Sequence, residues 1–116
     1  MKDNLIVKVT YQFALQVMAA AKLIRERREY DLASQFWRAG TSIGANVEEA
    51  QAAQSRADFR SKMSIAAKEA RETHYWLQLA RDGKVLSSQE ADALLETIQK
   101  IRKILTSIVK STSENP

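Results

Sequence analysis

Acidic side chains and a single histidine are the residues of this chain that could carry out acid–base or metal chemistry. Di-iron sites in helical bundles need a Glu-x-x-His motif on each of two helices and two further glutamates. This chain has one histidine, His74, with Arg71 three residues before it and Glu72 two residues before it. The spacing does not match the motif, so we predict no metal site, no cofactor and no ligand role for His74.

Nucleophilic catalysis and phosphate-loop binding also lack their motifs. A catalytic serine, threonine or cysteine needs a base oriented beside it. No such local arrangement occurs, and the chain has no cysteine. Gly40 and Gly44 lie in a predicted helix, without the preceding strand and the lysine that phosphate-binding loops use. The sequence therefore predicts a protein that is not an enzyme.

The remaining acids are more simply explained as partners of nearby bases than as general acids or bases. No substrate pocket is implied around them, and acids and bases three or four residues apart on a helix pair readily. We predict ion pairs that join the acids Glu48, Glu49, Glu69 and Glu72 to bases that include Arg38, Lys68 and Arg71.

Composition and charge limit the fold and the class of protein. Three glycines and a single proline leave too few turn residues for a β-protein, whereas good helix formers dominate. We therefore predict an all-α protein with one domain over residues 1–116. Eighteen Lys and Arg against fourteen Asp and Glu give a formal net charge of +4. This mild excess is compatible with nucleic acid or acidic partners, and equally with a basic protein that has neither.

No membrane span or signal segment is predicted. The longest apolar run of the first helix is broken by Gln16 and Lys22 and is too short to cross a bilayer. The N-terminus lacks the charged, apolar and small-residue layout of a signal peptide. We predict a soluble, cytoplasmic protein that makes no membrane contact.

Hydrophobic residues that recur every three or four positions predict four helices. Ser55 with Asp58, and Ser87 with Glu90, have the spacing of capping boxes that open the last two helices. Gly83 supplies a stop for the third helix. The predicted helices cover about residues 5–28, 32–54, 56–82 and 88–110, and residues 111–116 are predicted to form a frayed tail.

The first helix carries a second apolar row, on the side away from its core-facing residues. A four-helix bundle buries only one side of each helix, so this row favours a subunit interface over scattered surface residues. The row consists of Val7, Tyr11, Leu15 and Met18.

Three residues of the second helix are predicted to have structural roles. Gly40 and Gly44 each cost about 1 kcal/mol in a helix relative to alanine. Their spacing, with Ala33 and Trp37 on the same side, favours a groove that another helix approaches closely; the alternative is a local kink. Asn46 lies at the edge of the inward side, where an unpaired amide would be costly. We predict that Asn46 bonds to a neighbouring helix and fixes the register of the bundle.

Basic residues form rows on the outer sides of the third and fourth helices. Phosphate binding needs several bases on one continuous surface. A single aromatic residue offers no array for stacking bases, so sequence-specific recognition of single strands is not predicted. The predicted nucleic-acid contacts are Arg60, Lys68, Arg71 and Tyr75 on the third helix, and Lys100, Arg102, Lys103 and Lys110 on the fourth.

Two segments carry a resemblance to a known family. They are SIGANVEEA at residues 42–50 and IAAKEARETHYWL at residues 65–77. On these segments the chain resembles the bacterial four-helix-bundle family named after 23S ribosomal-RNA intervening sequences, which is related to the accessory variability proteins of diversity-generating retroelements. The resemblance covers about residues 5–109.

The resemblance implies an antiparallel up-down bundle whose members assemble as ring-shaped homopentamers. It also implies RNA or DNA binding through basic surface, and no catalytic residues. Together with the residue patterns, it leads us to predict a left-handed, antiparallel four-helix bundle that forms a homo-oligomer and binds nucleic-acid backbone without enzymatic activity. The alternative is an adaptor whose ring docks a partner protein and whose basic surface meets acidic protein.

Overall fold

Four α-helices joined by short turns make up the fold. The computed structural model describes residues 4–114, with the backbone alone for residue 114. The helices are α1 (Leu5–Glu26), α2 (Tyr30–Ala50), α3 (Arg56–Asp82) and α4 (Ser88–Glu114). Each helix packs against its two neighbours in the order α1, α2, α3, α4, and α4 closes the ring against α1. The short connections make successive helices antiparallel, so the predicted all-α, up-down four-helix bundle is confirmed.

The core consists of one apolar row from each helix. Phe13 on α1, Phe36 on α2 and Leu77 on α3 are almost fully buried, as are Ile98 and Leu105 on α4. These rows follow the three- and four-residue spacing of the sequence, because positions so spaced share one side of a helix. Within residues 4–114, no helix combines the length and apolar character needed to cross a membrane.

The fourth helix is longer than predicted. The prediction of a frayed tail is wrong for residues 111–114, because these residues form the last turn of α4. The Thr112 hydroxyl donates to the carbonyl oxygen of Ile108 at 2.7 Å, and the Ser113 hydroxyl donates to that of Lys110 at 3.1 Å. Arg56 Nε, at the start of α3, donates to the carbonyl oxygen of Thr112 at 3.3 Å. The neighbouring helix thus holds the last turn of α4. Residues 115 and 116 lie outside the described part of the chain.

The second helix is shifted relative to its prediction and ends at Ala50 instead of residue 54. After Ala50 the backbone bonds span three residues instead of four: the amides of Gln51, Ala52 and Ala53 donate to the carbonyls of Glu48, Glu49 and Ala50, each at 3.1 Å. Bonds of this kind tighten the last turn and end a helix.

Helix α1 lies very close to α2 at the two glycines of α2. A Cβ atom at Gly40 would lie 2.6 Å from Val17 Cγ1, and one at Gly44 would lie 3.2 Å from the carbonyl oxygen of Thr10. Glycine is therefore required at Gly40 because α1 occupies the space that a side chain would take. Asn46 makes a different bond from the one predicted, since its Nδ2 donates at 2.8 Å to the carbonyl of Ser42 on its own helix. Close packing at the glycines, rather than Asn46, joins α2 to its neighbour.

Helices α1 and α3 end in Schellman motifs that place a basic residue in the left-handed conformation. In the second of these, the Val85 amide donates to the Ala80 carbonyl at 2.9 Å and the Lys84 amide to that of Arg81 at 3.0 Å. The φ angle is 62° at Lys84, and 69° at Arg28 in the equivalent place after α1. Gly83, the predicted stop, has an ordinary φ of −79°. Lys84, the next residue, has the left-handed conformation instead, at a position where glycine is usual.

Lys84→Gly is expected to stabilise the protein. A left-handed conformation costs a non-glycine residue about 1–2 kcal/mol, and part of this gain is offset by the greater freedom of glycine in the unfolded chain. We expect the free energy of unfolding to rise by about 0.5–1 kcal/mol, measured by denaturant titration. Lys84→Ala is the control, because it removes the same side chain and keeps the Cβ; an equal gain from both variants would contradict this explanation.

A clamp joins the two turns at one end of the bundle. Arg27 donates from its two Nη atoms to the two carboxylate oxygens of Glu90 at 2.9 and 2.8 Å, and it also donates to the Val85 carbonyl. Glu90 also completes the predicted capping box of α4: the Ser87 amide donates to Glu90 Oε1 at 2.8 Å, and the Glu90 amide donates to Ser87 Oγ at 3.0 Å. The hydrogen bond from Arg27, followed by that from the Ser87 amide, lowers the pKa of Glu90 from 4.5 to about 2.

This clamp predicts a loss of stability in acid. Because the pKa of Glu90 is lower in the folded protein than in the unfolded chain, its contribution is complete above about pH 4.5 and is lost as pH falls toward 2. Thermal unfolding followed between pH 2 and 6 should show a shallower dependence for Glu90→Gln than for the wild type. Glu48→Gln, an exposed substitution that leaves the clamp intact, should behave like the wild type. Parallel curves for Glu90→Gln and the wild type would contradict the assignment.

Candidate nucleic-acid interface

A groove of about 380 Å³ follows the outer seam between α3 and α4. Half-buried Ala67 and Val109 belong to its lining, together with the hydroxyl residues Ser64, Thr106 and Ser113. Among the described residues, the charged ones in its lining are all cationic: Arg60, Lys68 and Arg71 on α3, and Lys110 on α4. The groove therefore combines small residues with a positively charged rim.

A second hollow of about 430 Å³ lies beside this groove on α4. Arg102 and Lys103 line it together with Gln99 and Ser107, and it shares Thr106 and Lys110 with the first. The two hollows form one continuous surface, which we name the basic groove. Its cations are Arg60, Lys68, Arg71, Arg102, Lys103 and Lys110.

The antiparallel packing of α3 and α4 assembles this surface from two distant stretches of sequence. One end of the seam is held by the bond from Arg56 to Thr112, and near the other end Arg81 Nη1 lies 3.9 Å from Asp92 Oδ1. The first half of α3 therefore runs beside the last half of α4. At about 1.5 Å per residue, Arg60 and Arg71 lie about 16 Å apart along the helix axis.

The cations of the basic groove have no acidic partners among the described residues. The ion pairs there are those of Arg27 with Glu90, Lys62 with Glu49, and Arg81 with Asp82 and Asp92. Arg102 donates to the neutral amide oxygen of Gln99 at 3.0 Å. Within residues 4–114, the positive charge of the groove is therefore not neutralised by ion pairs.

The ion pairs predicted for Lys68 and Arg71 are wrong. Glu72 accepts a bond from Trp76 Nε1 at 3.0 Å, and Glu69 has one buried carboxylate oxygen without a hydrogen-bond partner. Each of these acids follows a groove cation directly in sequence, which rotates it by about 100° around the helix. Of the four acids considered, only Glu49 forms an ion pair in the described part of the chain, and its partner is Lys62 at 3.1 Å.

Two of the predicted contacts lie outside the basic groove. Tyr75 and Lys100 are exposed but line neither hollow. Tyr75 packs edge-on against Trp76, with ring centroids 5.1 Å apart.

Desolvation, followed by the positive charges of Arg102 and Arg81, lowers the pKa of His74. Both effects favour the neutral form of the His74 imidazole.

The second apolar row of α1 is at the surface of the four-helix bundle. Tyr11 is 65% exposed and Leu15 is 52% exposed, whereas Val7 and Met18 are half-buried. A further cationic hollow, which is not predicted from the sequence, lies between α1 and α2 and is lined by residues that include Lys22, Arg25 and Trp37. Its signal in the sequence is the three-residue spacing of the two cations beside a run of small residues, whereas the spacing of Trp37 with the glycines favours a role in helix packing.

Comparison with known proteins places the chain in a family. Residues 2–107 match the family model described as 23S rRNA-intervening sequence protein. The chain belongs to this family. The SIGANVEEA and IAAKEARETHYWL segments both lie within the region that matches the 23S rRNA-intervening sequence family.

A solved structure is similar to this member of the family over nearly its whole length. It is a protein of unknown function from the S23 ribosomal protein family of Bacteroides thetaiotaomicron, at 39% sequence identity and a TM-score of 0.87. The similarity covers 90% of this chain and 98% of the other. A search of curated proteins gave no match.

Proposed function

We propose that this member of the 23S rRNA-intervening sequence family is a non-enzymatic protein that binds the phosphate backbone of RNA or DNA. The observation that carries the proposal is the basic groove, where six cations from two helices lie on one surface and have no acidic partner in the described part of the chain. A protein that binds nucleic acid must have access to it, so the cytoplasmic location predicted from the sequence forms part of the same proposal.

The lining of the basic groove supports backbone contact rather than base recognition. Lysine and arginine bind phosphate oxygens whatever the base sequence, and the hydroxyls of Ser64, Thr106 and Ser113 can donate to the same oxygens. None of the described residues that line the two hollows is aromatic. We therefore expect similar affinities for ligands that differ in base sequence.

A salt series tests this proposal. Electrophoretic shifts with a structured RNA and with duplex DNA should show binding at low salt that weakens steeply as salt rises. If all six cations contact phosphates, affinity should fall about 10³-fold between 50 and 200 mM salt, because each contact releases condensed counterions. Absence of binding at low salt, or an affinity that does not change with salt, would overturn the proposal.

We further propose that the protein acts as a homo-oligomer, for which the resemblance implies five copies. The exposed row on α1 supports this, because Tyr11 and Leu15 place large apolar surface in water beside half-buried Val7 and Met18. Oligomerisation would repeat the basic groove and raise affinity for a long polyanion through multivalency.

Leu15→Glu is expected to release monomers. A carboxylate at this position would have to lose its hydration in an apolar interface, which costs several kcal/mol per ion. Light scattering coupled to size-exclusion chromatography should show the mass fall to that of one chain. Gln16→Glu introduces the same charge at an exposed position about 100° around the helix and should keep the oligomer. An unchanged mass for Leu15→Glu would show that the row is not the interface.

The alternative function is a protein-interaction adaptor. Ile65, Tyr75 and Leu79 on α3 favour it, because they are 39%, 54% and 45% exposed and share one side of the helix. In that case the salt series would show no nucleic-acid binding, and substitution of this apolar row would abolish capture of the partner.

A further inference from the structure

A second cationic site lies between α1 and α2. A cleft of about 230 Å³ is lined there by Ala21, Lys22 and Arg25 of α1 and by Ala33, Ser34 and Trp37 of α2. The two alanines are buried, whereas the two cations are exposed. The large side chains around the cleft are thus one indole and two cationic side chains.

A neighbouring hollow shares these two cations and adds one further cation, one acid and one aromatic ring. It is lined by Lys22 and Arg25 again, together with Glu26, Arg28 and Tyr30. The Arg25 guanidinium lies 5.6 Å from the centroid of the Tyr30 ring, an arrangement that holds a cation over an aromatic face. Neither Lys22 nor Arg25 forms an ion pair within residues 4–114. We name the two hollows together the aromatic–cationic cleft.

We propose that the aromatic–cationic cleft binds one nucleotide of a single-stranded nucleic acid, with the base against Trp37 and the phosphate between Lys22 and Arg25. A base offers a flat π surface that stacks on an indole, and its phosphate supplies the negative charge that these cations lack. The small side chains of Ala21 and Ala33 leave room for a planar ring, and the Ser34 hydroxyl can donate to or accept from its edge.

This site is separate from the basic groove. In the ring order of the bundle, the seam between α1 and α2 lies opposite the seam between α3 and α4. One protomer therefore offers a backbone-binding surface on one side and a base-stacking cleft on the other. We choose a nucleic acid over an acidic peptide as the ligand because of the proposed function. The cleft itself indicates only that the ligand combines a negative charge with a flat ring.

The tryptophan content of the chain provides a direct reporter. Trp37 and Trp76 are the only tryptophans, so Trp76→Phe leaves Trp37 as the single indole. We would titrate this variant with a single-stranded octanucleotide, with a nucleoside monophosphate, with inorganic phosphate and with an acidic peptide that contains phenylalanine. A second readout that needs no Trp76 substitution is ultraviolet cross-linking of the oligonucleotide to the wild type, with the linked residue located by mass spectrometry.

The proposal predicts saturable quenching of Trp37 by the oligonucleotide and, more weakly, by the monophosphate. Lys22→Gln with Arg25→Gln should weaken binding about tenfold or more, and Trp37→Leu should abolish the cross-link in this cleft. Lys68→Gln with Lys110→Gln should leave the quenching of Trp37 by the monophosphate unchanged, because neither residue lines the cleft. This variant therefore tells a failure of the basic-groove proposal from a failure of the cleft proposal.

Four outcomes would overturn the proposal. One is that no nucleotide or oligonucleotide quenches Trp37 or cross-links to the cleft. Another is that the quenching persists in the Lys22 and Arg25 variant, and the third is that the peptide alone binds. A Trp37 signal that responds to protein concentration and not to nucleotide would identify the cleft as a contact between copies of the chain and would equally contradict it.

Discussion

Gly40→Ala is expected to destabilise the protein by about 1–3 kcal/mol, the usual range for overpacking a well-packed core. Alanine is the better helix former by about 1 kcal/mol, so propensity alone predicts the opposite sign. The reason is the contact with α1, where a Cβ would lie 2.6 and 2.7 Å from the two γ-carbons of Val17. Val17 is fully buried, so its side chain cannot move aside into solvent. Denaturant unfolding measures the change.

A double variant tests the cause. Val17→Ala removes both γ-carbons and leaves the Val17 Cβ 3.1 Å from the introduced one, a distance that a small shift can relieve. On its own Val17→Ala should destabilise through the cavity that it leaves. Combined with Gly40→Ala, the loss should be smaller than the sum of the two single losses. Equal or higher stability for Gly40→Ala alone would show that α1 does not pack this closely in solution.

Much of the fold could be predicted from the sequence because its determinants are local. Apolar spacing identified the four helices, and Ser87 with Glu90 identified the start of the last one through a capping box that forms as predicted. The end of α4 could not be predicted in this way. Its final turn is polar and is held by Arg56, which is 56 residues away in sequence. A bond between helices leaves no periodic signal.

The candidate site was predictable in its parts but not in its assembly. The bases of α3 and α4 were identified separately, and only the antiparallel seam shows that Arg60, Lys68 and Arg71 share a groove with Lys110. Lys100 was grouped with Lys103 by spacing, yet it lines neither hollow. The spacing of Trp37 favours a packing role beside the glycines, because a sequence does not show that the small residues around an indole leave a cleft open.

A large loss of affinity for nucleic acid is expected when cations of the basic groove are removed. The variant that combines Lys68→Gln, Arg71→Gln and Lys110→Gln removes three cations from one lining and leaves the core unchanged. Affinity for a structured RNA at about 0.1 M salt should fall at least about tenfold, because hydrogen bonds to charged groups are among the strongest that proteins make. If each cation contacts a phosphate, the slope of log affinity against log salt should become shallower by about 2–3 per protomer.

A charge-matched variant separates the groove from net charge. Arg38→Gln, Lys62→Gln and Lys84→Gln also remove three cations, and none of these residues lines the basic groove. Circular dichroism and thermal melting should show that both variants are folded. If binding were only the general attraction of a basic protein to a polyanion, affinity would fall equally in the two variants. If the basic groove is the contact surface, affinity should fall in the Lys68, Arg71 and Lys110 variant alone.

Fluorescence anisotropy of a labelled structured RNA, titrated with the wild type and with these two triple variants across a salt series, tests the central claim most directly. The backbone-binding groove predicts that the Lys68, Arg71 and Lys110 variant loses both affinity and salt dependence, and that the Arg38, Lys62 and Lys84 variant stays within about threefold of the wild type. Equal losses in both variants, or none in the groove variant, would contradict it.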